Sequence, residues 1–148
     1  MTLNDILLYQ LKDQTRIKLG LVGPEDRDRF LNGFDHISIQ TNINRFHGFK
    51  KGFSEDELRY LLEIDNVNHL AIGAIDCDDP ELGIGLARYV RRTTEPAVAE
   101  AAIIVIDEYQ GKGLGKILYT ELLQRGAENG IQSLLNIEKK TTKKCLHC

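Results

Sequence analysis

One segment limits the possible folds more than any other: an apolar stretch, a glycine-rich turn and a helical pattern follow one another between residues 100 and 130. Residues 101–106 read AAIIVI, which is typical of a strand buried on both faces. From Leu114 onward, apolar residues recur at steps of three and four, which predicts a helix to about Asn129 with Gly130 as its C-terminal stop. Because residues 131–137 read as another strand, this unit predicts two parallel strands joined by a crossover helix.

The glycine-rich turn predicts an anion site. Glycines occupy positions 111, 113 and 115 of DEYQGKGLGK, at the start of the predicted helix. Free backbone N–H groups and the helix dipole converge there, and glycine permits close approach and positive φ angles. Lys112 and Lys116 add positive charge, so a pyrophosphate is a natural ligand. The spacing fits neither the Walker loop nor the dinucleotide motif, which counts against a third hypothesis, a nucleotide-phosphate binder.

The remaining chain predicts further strands and helices around this unit. Residues 6–22 predict two short strands around a turn at 12–14, and Pro24 opens a helix to Phe34. Residues 35–52 are mixed and partly helical, whereas Ser54 and Glu57 form the capping box of another helix. Strands follow at 68–76, 83–92 and 98–106, with a turn at 77–83. We expect a single domain over residues 1–148.

Composition excludes some classes of function. A net charge of −3 argues against nucleic acid as a partner, and we expect the basic run 139–144 to be a solvated tail. No apolar stretch approaches the roughly 18 residues that span a bilayer, and no signal peptide is evident, so we expect a cytoplasmic protein without membrane contact. Cys77, Cys145 and Cys148 suggest no disulfide framework. CLHC at 145–148 has half of a zinc-site spacing, but without a second pair we predict no metal.

The order Gln110-x-x-Gly113-x-Gly115 after an apolar strand resembles the coenzyme A loop of the GNAT superfamily of N-acetyltransferases, whose signature is Arg/Gln-x-x-Gly-x-Gly/Ala. The segments RFHGFKKGFSEDELRYLLEIDNVNHLAIGAID, GLARYVR and AEAAIIVIDEYQGKGLG are similar to the acetyltransferase domains of bacterial protein lysine acetyltransferases. The resemblance covers residues 7–137. It implies an α/β (α+β) GNAT fold, a mixed central sheet flanked by helices, and acetyl-CoA as cosubstrate.

The resemblance also implies how the coenzyme is bound. The backbone amides of the turn would bind the pyrophosphate, and residues 103–105 would pair their backbone with the pantetheine arm in a wedge between two splayed parallel strands. The alternative is a tight turn without ligand. The predicted coenzyme-binding residues are Ile103, Ile104, Val105, Gln110, Gly111, Lys112, Gly113, Leu114, Gly115 and Lys116.

Glu100 is the predicted catalytic base. Transfer to a lysine-type amine, whose pKa is about 10.4, needs a group that accepts a proton. Glu100 opens the apolar strand between alanines, where partial desolvation would make its carboxylate a stronger base. In the similar acetyltransferases a glutamate at the matching position acts as base. The alternative is a strand-end glutamate that faces water. We assign no general acid, and we expect Tyr119 to have a packing role.

Other polar and aromatic residues receive simpler interpretations. The histidines 36, 47 and 69 are expected at the surface or as capping residues, and the arginines 88, 91 and 92 as solvated strand residues, with 88 and 92 on one face. By resemblance alone, the phenylalanines 46, 49 and 53 would cover the acceptor side.

The C-terminus departs from the family pattern. After SLLNIEKK the chain reads TTKKCLHC, so the expected asparagine-bearing segment, helix and final hairpin look absent and strand 131–137 would have an exposed edge. This favours truncation or a frameshift over a natural short form or a homodimer that completes the edge. Two main hypotheses stay open: an N-acetyltransferase acting on a small-molecule or protein amine, with a protein lysine as one candidate, and a non-catalytic acyl-CoA-binding module.

Overall fold

The computed structural model describes residues 6–46, 48, 50–136 and 141–144. They form a seven-stranded sheet in which the strands lie in chain order. The strands are β1 (Leu7–Gln10), β2 (Arg16–Leu21), β3 (His69–Asp76), β4 (Asp79–Arg91), β5 (Val98–Val105), β6 (Ser133–Asn136) and β7 (Thr141–Lys144). The helices are α1 (Arg27–Phe34), α2 (Ile39–Phe46), α3 (Glu55–Leu62) and α4 (Leu114–Glu128). Within the described residues, no helix combines the length and apolar character needed to cross a membrane.

The sheet is mixed, as expected. Strands β1 to β5 pair antiparallel with their neighbours, β5 and β6 pair parallel, and β6 and β7 pair antiparallel. Helix α4 makes the crossover between the parallel strands, so the predicted strand–turn–helix–strand unit is confirmed. Helix α4 ends at a left-handed Gly130, whose φ is +84°, as the sequence predicted.

The other predicted helices are also present. Pro24 opens a short 3-10 turn, Pro24–Asp26, that leads into α1. Helix α3 begins with the predicted capping box: the Glu57 N–H donates to Ser54 Oγ at 3.1 Å, and the Ser54 N–H donates to the Glu57 carboxylate at 2.9 Å. These two bonds satisfy N–H groups that a helix start leaves free, which fixes the N-terminus of α3.

Helix α4 covers one face of the sheet, and α1 and α3 cover the other. On the α4 face, Leu118 and Leu122 are fully buried, and Leu118 approaches the backbone of Gly85 in β4. The opposite face holds a smaller buried cluster: Val22, Leu58, Leu62 and Ala71. A β-bulge lies near Ile84 of β4, because the register steps from Ala74↔Gly85 to Ile75↔Gly83.

Several expectations are corrected. The exposed edge predicted for 131–137 is wrong for the described part of that strand, since β7 pairs with β6 from Ser133↔Lys144 to Asn136↔Thr141. Residues 141–144 are therefore a strand and not a solvated tail. The turn predicted at 77–83 is shorter, because β4 already begins at Asp79. Residues 103–105 of β5 are only half-buried rather than enclosed on both faces. The predictions for His47, Phe49, Cys145 and Cys148 lie outside the described residues.

Candidate active site

Among the described residues, the pairing of the parallel strands β5 and β6 stops before β5 ends, and we call the unpaired side of β5 beyond Ala101 the gap. Their pairing runs only from Val98↔Ser133 to Ala101↔Asn136, whereas β5 continues to Val105. Within the described part of the chain, the last four residues of β5 therefore have no paired strand on that side. The resemblance implied a splayed pair of parallel strands at this end of β5.

Alternation along β5 determines which backbone groups face the gap. The Ile106 N–H donates to the Ile84 carbonyl at 3.0 Å, and the Arg92 N–H donates to the Val98 carbonyl at 2.9 Å. Even-numbered residues of β5 thus direct their backbone groups to β4, and odd-numbered residues direct theirs to the opposite side. The backbone of Ile103 and Val105 faces the gap. Ile104 belongs to the predicted coenzyme-binding set, but its backbone groups are directed to Leu86 of β4 and not to the gap.

Gln110 joins the glycine turn to the end of β5. Its side-chain amide Nε2 donates to the Val105 carbonyl at 2.9 Å. This bond occupies one of the gap-facing carbonyls and fixes where the turn leaves the strand. The gap-facing groups that remain are the N–H groups of Ile103 and Val105 and the carbonyl of Ile103. Gln110 thus has a positioning contact in the structure.

The glycine turn places open backbone at the start of α4. Gly111 and Gly113 have φ angles of +76° and +94°, which are left-handed conformations that disfavour side chains. Gly113 is the N-cap of α4, and Gly115 lies in its first turn. A Cβ built on Gly111 or Gly115 would meet no atom within 4 Å, so this side of the turn is open to a ligand.

The two lysines of the turn differ in their surroundings. Lys112 Nζ lies 3.0 Å from the Asp13 carboxylate and 5.2 Å from the centre of the Tyr109 ring. Hydrogen bonds from Thr15, and the bond and charge of Lys112, lower the pKa of Asp13 to about 2. The Lys12 N–H also donates to the Lys112 carbonyl at 3.2 Å, so the β1–β2 turn braces the glycine turn. Lys116 is exposed on α4.

The residues before the turn are fixed to the rest of the fold. The Tyr109 hydroxyl donates to Asp76 of β3 at 2.7 Å, and burial together with that bond raises the pKa of Tyr109 to about 12. Asp107 accepts from the Ser38 N–H at 2.8 Å, which links the turn to the start of α2. That bond is the main cause of the lowered pKa of Asp107. Both anchors hold the strand end and the turn in one arrangement.

Glu100 lies near the start of β5, on the sheet face that carries α1 and α3. Its side chain is 48% exposed, and Oε1 lies 3.5 Å from Nη2 of Arg92. The partial desolvation expected from its alanine neighbours is therefore not found. Arg92 also contacts Glu95 at 3.0 Å, so two carboxylates share one guanidinium.

An apolar pocket of about 100 Å³ lies on the same face, between the sheet and helices α1–α3. Phenylalanine rings form much of its wall, and Phe53 stacks edge-to-face on Phe30 and Phe34 at centroid distances of 5.0 and 4.8 Å. Phe46 also lines the pocket, so the two described phenylalanines of the predicted set lie together on this face. Ile104 contributes its side chain to the wall, so pocket and gap meet at neighbouring residues of β5.

Arg88 is the residue that sequence reasoning misjudged. It was expected to be solvated, but it is only 5% exposed and lines this pocket. Its Nη1 donates to the Leu61 carbonyl at 2.9 Å and lies 2.6 Å from Nε2 of His69. His69 is half-buried rather than at the surface, and burial followed by the charge of Arg88 lowers the pKa of His69 to about 4. The positions of Leu86 and Val90, two residues to either side of Arg88, were the available signal for an inward-facing side chain.

The remaining candidate residues from the sequence lie in the core or at the surface. Tyr119 packs against the main core, as expected. His36 lies 3.4 Å from Glu108 at the surface. Across the residues that the structure describes, no three His, Cys, Asp or Glu side chains group closely enough to hold a metal ion.

Residues 38–144 match the family model described as the acetyltransferase (GNAT) family. The chain belongs to this family. It is 29% identical over 135 residues to acetyltransferase PA5475 of Pseudomonas aeruginosa, a match that covers 90% of this chain and 72% of that protein. It is 33% identical over 116 residues to acetyltransferase Pat of Mycolicibacterium smegmatis, which covers 74% of this chain but only 32% of Pat.

Solved structures show the same fold. The GNAT domain of S. lividans PAT superposes with a TM-score of 0.82 at 20% identity, covering 90% of this chain and 78% of that domain. A cAMP-binding acyltransferase from Mycobacterium smegmatis matches with a TM-score of 0.59 at 26% identity, over 87% of this chain and 36% of that protein. The GNAT fold predicted from the glycine turn is confirmed.

Proposed function

We propose that the chain transfers an acetyl group from acetyl-CoA to a primary amine by direct attack, with both substrates bound together. The observation that carries this proposal is the gap beside β5, which ends at the open glycine turn. A pantetheine arm is a chain of amides and methylenes, and the gap offers it backbone partners at Ile103 and Val105. A pyrophosphate at the head of that arm would reach the N–H groups at the start of α4.

Within the glycine turn, the proposed contacts are mainly to backbone. The N–H groups from Gly111 to Lys116 would bind the pyrophosphate, and Leu114 would contribute only its N–H because its side chain is buried in the core. Lys116 would add exposed positive charge, whereas Lys112 is paired with Asp13. Gln110 would act by holding the strand end, and Ile104 by shaping the acceptor pocket.

The proposed chemistry is a single acyl transfer. The neutral amine forms a bond to the thioester carbonyl carbon, the carbon–sulfur bond breaks, and the coenzyme leaves as a thiolate. A gap-facing N–H of β5 would polarise the carbonyl oxygen, which develops negative charge. The amine proton passes to Glu100, directly or through water. The approach of the coenzyme and acceptor would exclude water around the half-exposed Glu100.

Two measurements test the proposal in sequence. Calorimetric titration with acetyl-CoA, with ATP as the control, should show micromolar binding of acetyl-CoA alone. A panel of amines that includes a lysine peptide should then give an acetylated product. Binding without turnover on every amine would instead favour the non-catalytic module. The lysine peptide is included because the sequence resembles protein lysine acetyltransferases.

The role of Glu100 has a matched control in Glu95. Both carboxylates contact Arg92, but Glu95 lies before β5 and away from the gap. Glu100→Gln should lower kcat by about 100-fold or more with acetyl-CoA affinity unchanged, whereas Glu95→Gln should leave both near wild type. Equal losses in kcat for the two variants would show that the shared contact with Arg92 matters and that Glu100 is not the base.

A further inference from the structure

Arg88 is a buried cation with an unused hydrogen-bond donor. The residue is 5% exposed, and its Nη2 has no hydrogen-bond partner among the described residues. Its two recorded acceptors, the Leu61 carbonyl and the His69 ring, are neutral, because His69 must be uncharged to accept through Nε2. A buried charge without a counter-ion is destabilising unless something else binds it. The site is therefore incomplete without an acceptor.

The charges near Arg88 do not supply that acceptor. Burial, and then the positive charge of Arg45, lower the pKa of Arg88 to about 10. Arg45 lines the same pocket, with its guanidinium 5.1 Å from the centre of the Phe46 ring. Asp26 also lines the pocket, but its carboxylate is bonded to Arg29 at 2.7 Å and to the Gly23 N–H at 2.9 Å. The pocket therefore combines an apolar body with excess positive charge at Arg88.

The volume of the pocket limits the size of the apolar group that a ligand can place in it. Its volume is about 100 Å³, and engineered apolar cavities of roughly 150 Å³ hold a benzene molecule. A branched aliphatic group of four carbons is the appropriate occupant. The phenylalanine rings and the side chains of Leu86 and Ile104 would contact such a group on several sides.

The pocket also lies beside the proposed chemistry. Arg88 is paired directly with Ala102 of β5, and Glu100 is opposite Val90, two residues along. Arg88 and Glu100 thus project from the same face, at the diagonal spacing of about 7–8 Å that neighbouring strands give. A small molecule can reach both side chains, since each extends several ångströms from its Cβ.

We propose that this pocket binds the carboxylate of a small aliphatic amino acid, with the carboxylate on Arg88 and the branched chain among the phenylalanine rings. The inference rests on the proposed acetyl transfer, because it places the amine of that molecule near Glu100. Nη2 is shielded from solvent, so ligand entry requires neighbouring side chains at the pocket wall to move aside. The ligand then gains a charge-assisted hydrogen bond that the free protein lacks.

The first test measures binding without any amine. The probes are 3-methylbutanoate and its neutral amide, 3-methylbutanamide, which share a branched chain and differ in charge. In calorimetric or NMR titrations the carboxylate should bind about tenfold or more tightly than the amide. Equal affinity for the two probes, or no binding of either probe, would overturn the inference. Equal affinity is the result expected if a water molecule already accepts the hydrogen bond from Arg88 Nη2.

Variants then assign the effect to Arg88. Arg88→Gln should remove the preference for the carboxylate, and Arg88→Lys should retain part of it. Arg92→Gln is the matched control, because Arg92 lies on the same face of the strand region but is partly exposed and paired with glutamates. Retention of the full preference by Arg88→Gln would refute the assignment. Should Arg88→Gln not fold, the comparison of the two probes on the wild-type chain still decides.

Measurements of turnover distinguish a failure of this inference from a failure of the proposed acetyl transfer. Leucine and leucinamide are compared as acceptors beside the lysine peptide. The inference expects kcat/KM about tenfold or more higher for leucine than for leucinamide. Acetylation of the peptide and of leucinamide, with no preference for leucine, would refute the amino acid site and leave the acetyltransferase proposal intact. Carboxylate binding with no turnover of any amine would refute acetyl transfer and preserve the binding site on Arg88.

Discussion

Three glycines allow a test of whether the backbone conformation of the glycine turn determines coenzyme binding. Gly113 and Gly130 are left-handed, whereas Gly115 lies in the first turn of α4. Gly113 has a φ of +94°, so Gly113→Ala forces a side chain into the left-handed region, at about 1–2 kcal/mol. The stiffer unfolded chain offsets about 0.4–1 kcal/mol of this, which leaves a net loss of about 1 kcal/mol. Gly115 lies inside α4 with a helical backbone and open space around its Cβ. Gly115→Ala should therefore gain about 0.5–1 kcal/mol.

The two variants should thus shift stability in opposite directions. For a chain of this length about 1 kcal/mol corresponds to about 2–4 °C in Tm, so calorimetry should place the two midpoints several degrees apart. Acetyl-CoA affinity should fall for Gly113→Ala, because relief of the strain rotates the N–H groups that follow. It should persist for Gly115→Ala, because the helical backbone at this position keeps the direction of its N–H and the Arg/Gln-x-x-Gly-x-Gly/Ala signature allows alanine there.

Gly130→Ala is the control for strain alone. Gly130 has a φ of +84° at the far end of α4, also with no atom within 4 Å of a built Cβ. It should lose about as much stability as Gly113→Ala, with acetyl-CoA affinity unchanged. If Gly113→Ala binds acetyl-CoA as well as Gly130→Ala does, the direction of the turn amides does not determine coenzyme binding and the reasoning fails.

Three further outcomes follow from single contacts. Ser54→Ala removes the side-chain cap of α3 and should lower the free energy of unfolding by about 1 kcal/mol in urea titrations; an unchanged midpoint would show that the bond to the Glu57 N–H contributes nothing. Leu118→Ala, at a fully buried position, should cost about 2–5 kcal/mol in the same assay, and a loss below 1 kcal/mol would mean that α4 is loosely packed. Asp76→Asn should lower the pKa of Tyr109 from about 12, since it removes a negative charge that disfavours the phenolate. Ultraviolet titration of tyrosine ionisation would detect this change by comparison with wild type. A titration curve identical to that of wild type would contradict the prediction.

Local signals in the sequence predicted much of this fold. The apolar run 101–106, the glycine turn and the periodic leucines of α4 each depend on neighbours a few residues away, so they can be recognised without a tertiary structure. The same holds for the capping box at Ser54 and the glycine stop at Gly130. Together they predicted the crossover unit and the parallel strands, whereas the family was implied by the resemblance of Gln110-x-x-Gly113-x-Gly115 to the coenzyme A loop.

Other properties depend on which strands and helices meet, and the sequence alone did not determine them. Strand β7 pairs antiparallel with β6. The polar composition of residues 141–144 does not indicate a strand, so the sequence did not predict this pairing. Alternation along β5 directs the backbone of Ile104 to β4, and this follows only from the register with that strand. Arg88 is charged, which is typical of a surface residue, yet helices α1–α3 cover its face of the sheet and leave the residue buried in the wall of an apolar pocket. Burial is a property of the assembled layers, which is why only the tertiary structure revealed that the buried Arg88 lines an apolar pocket.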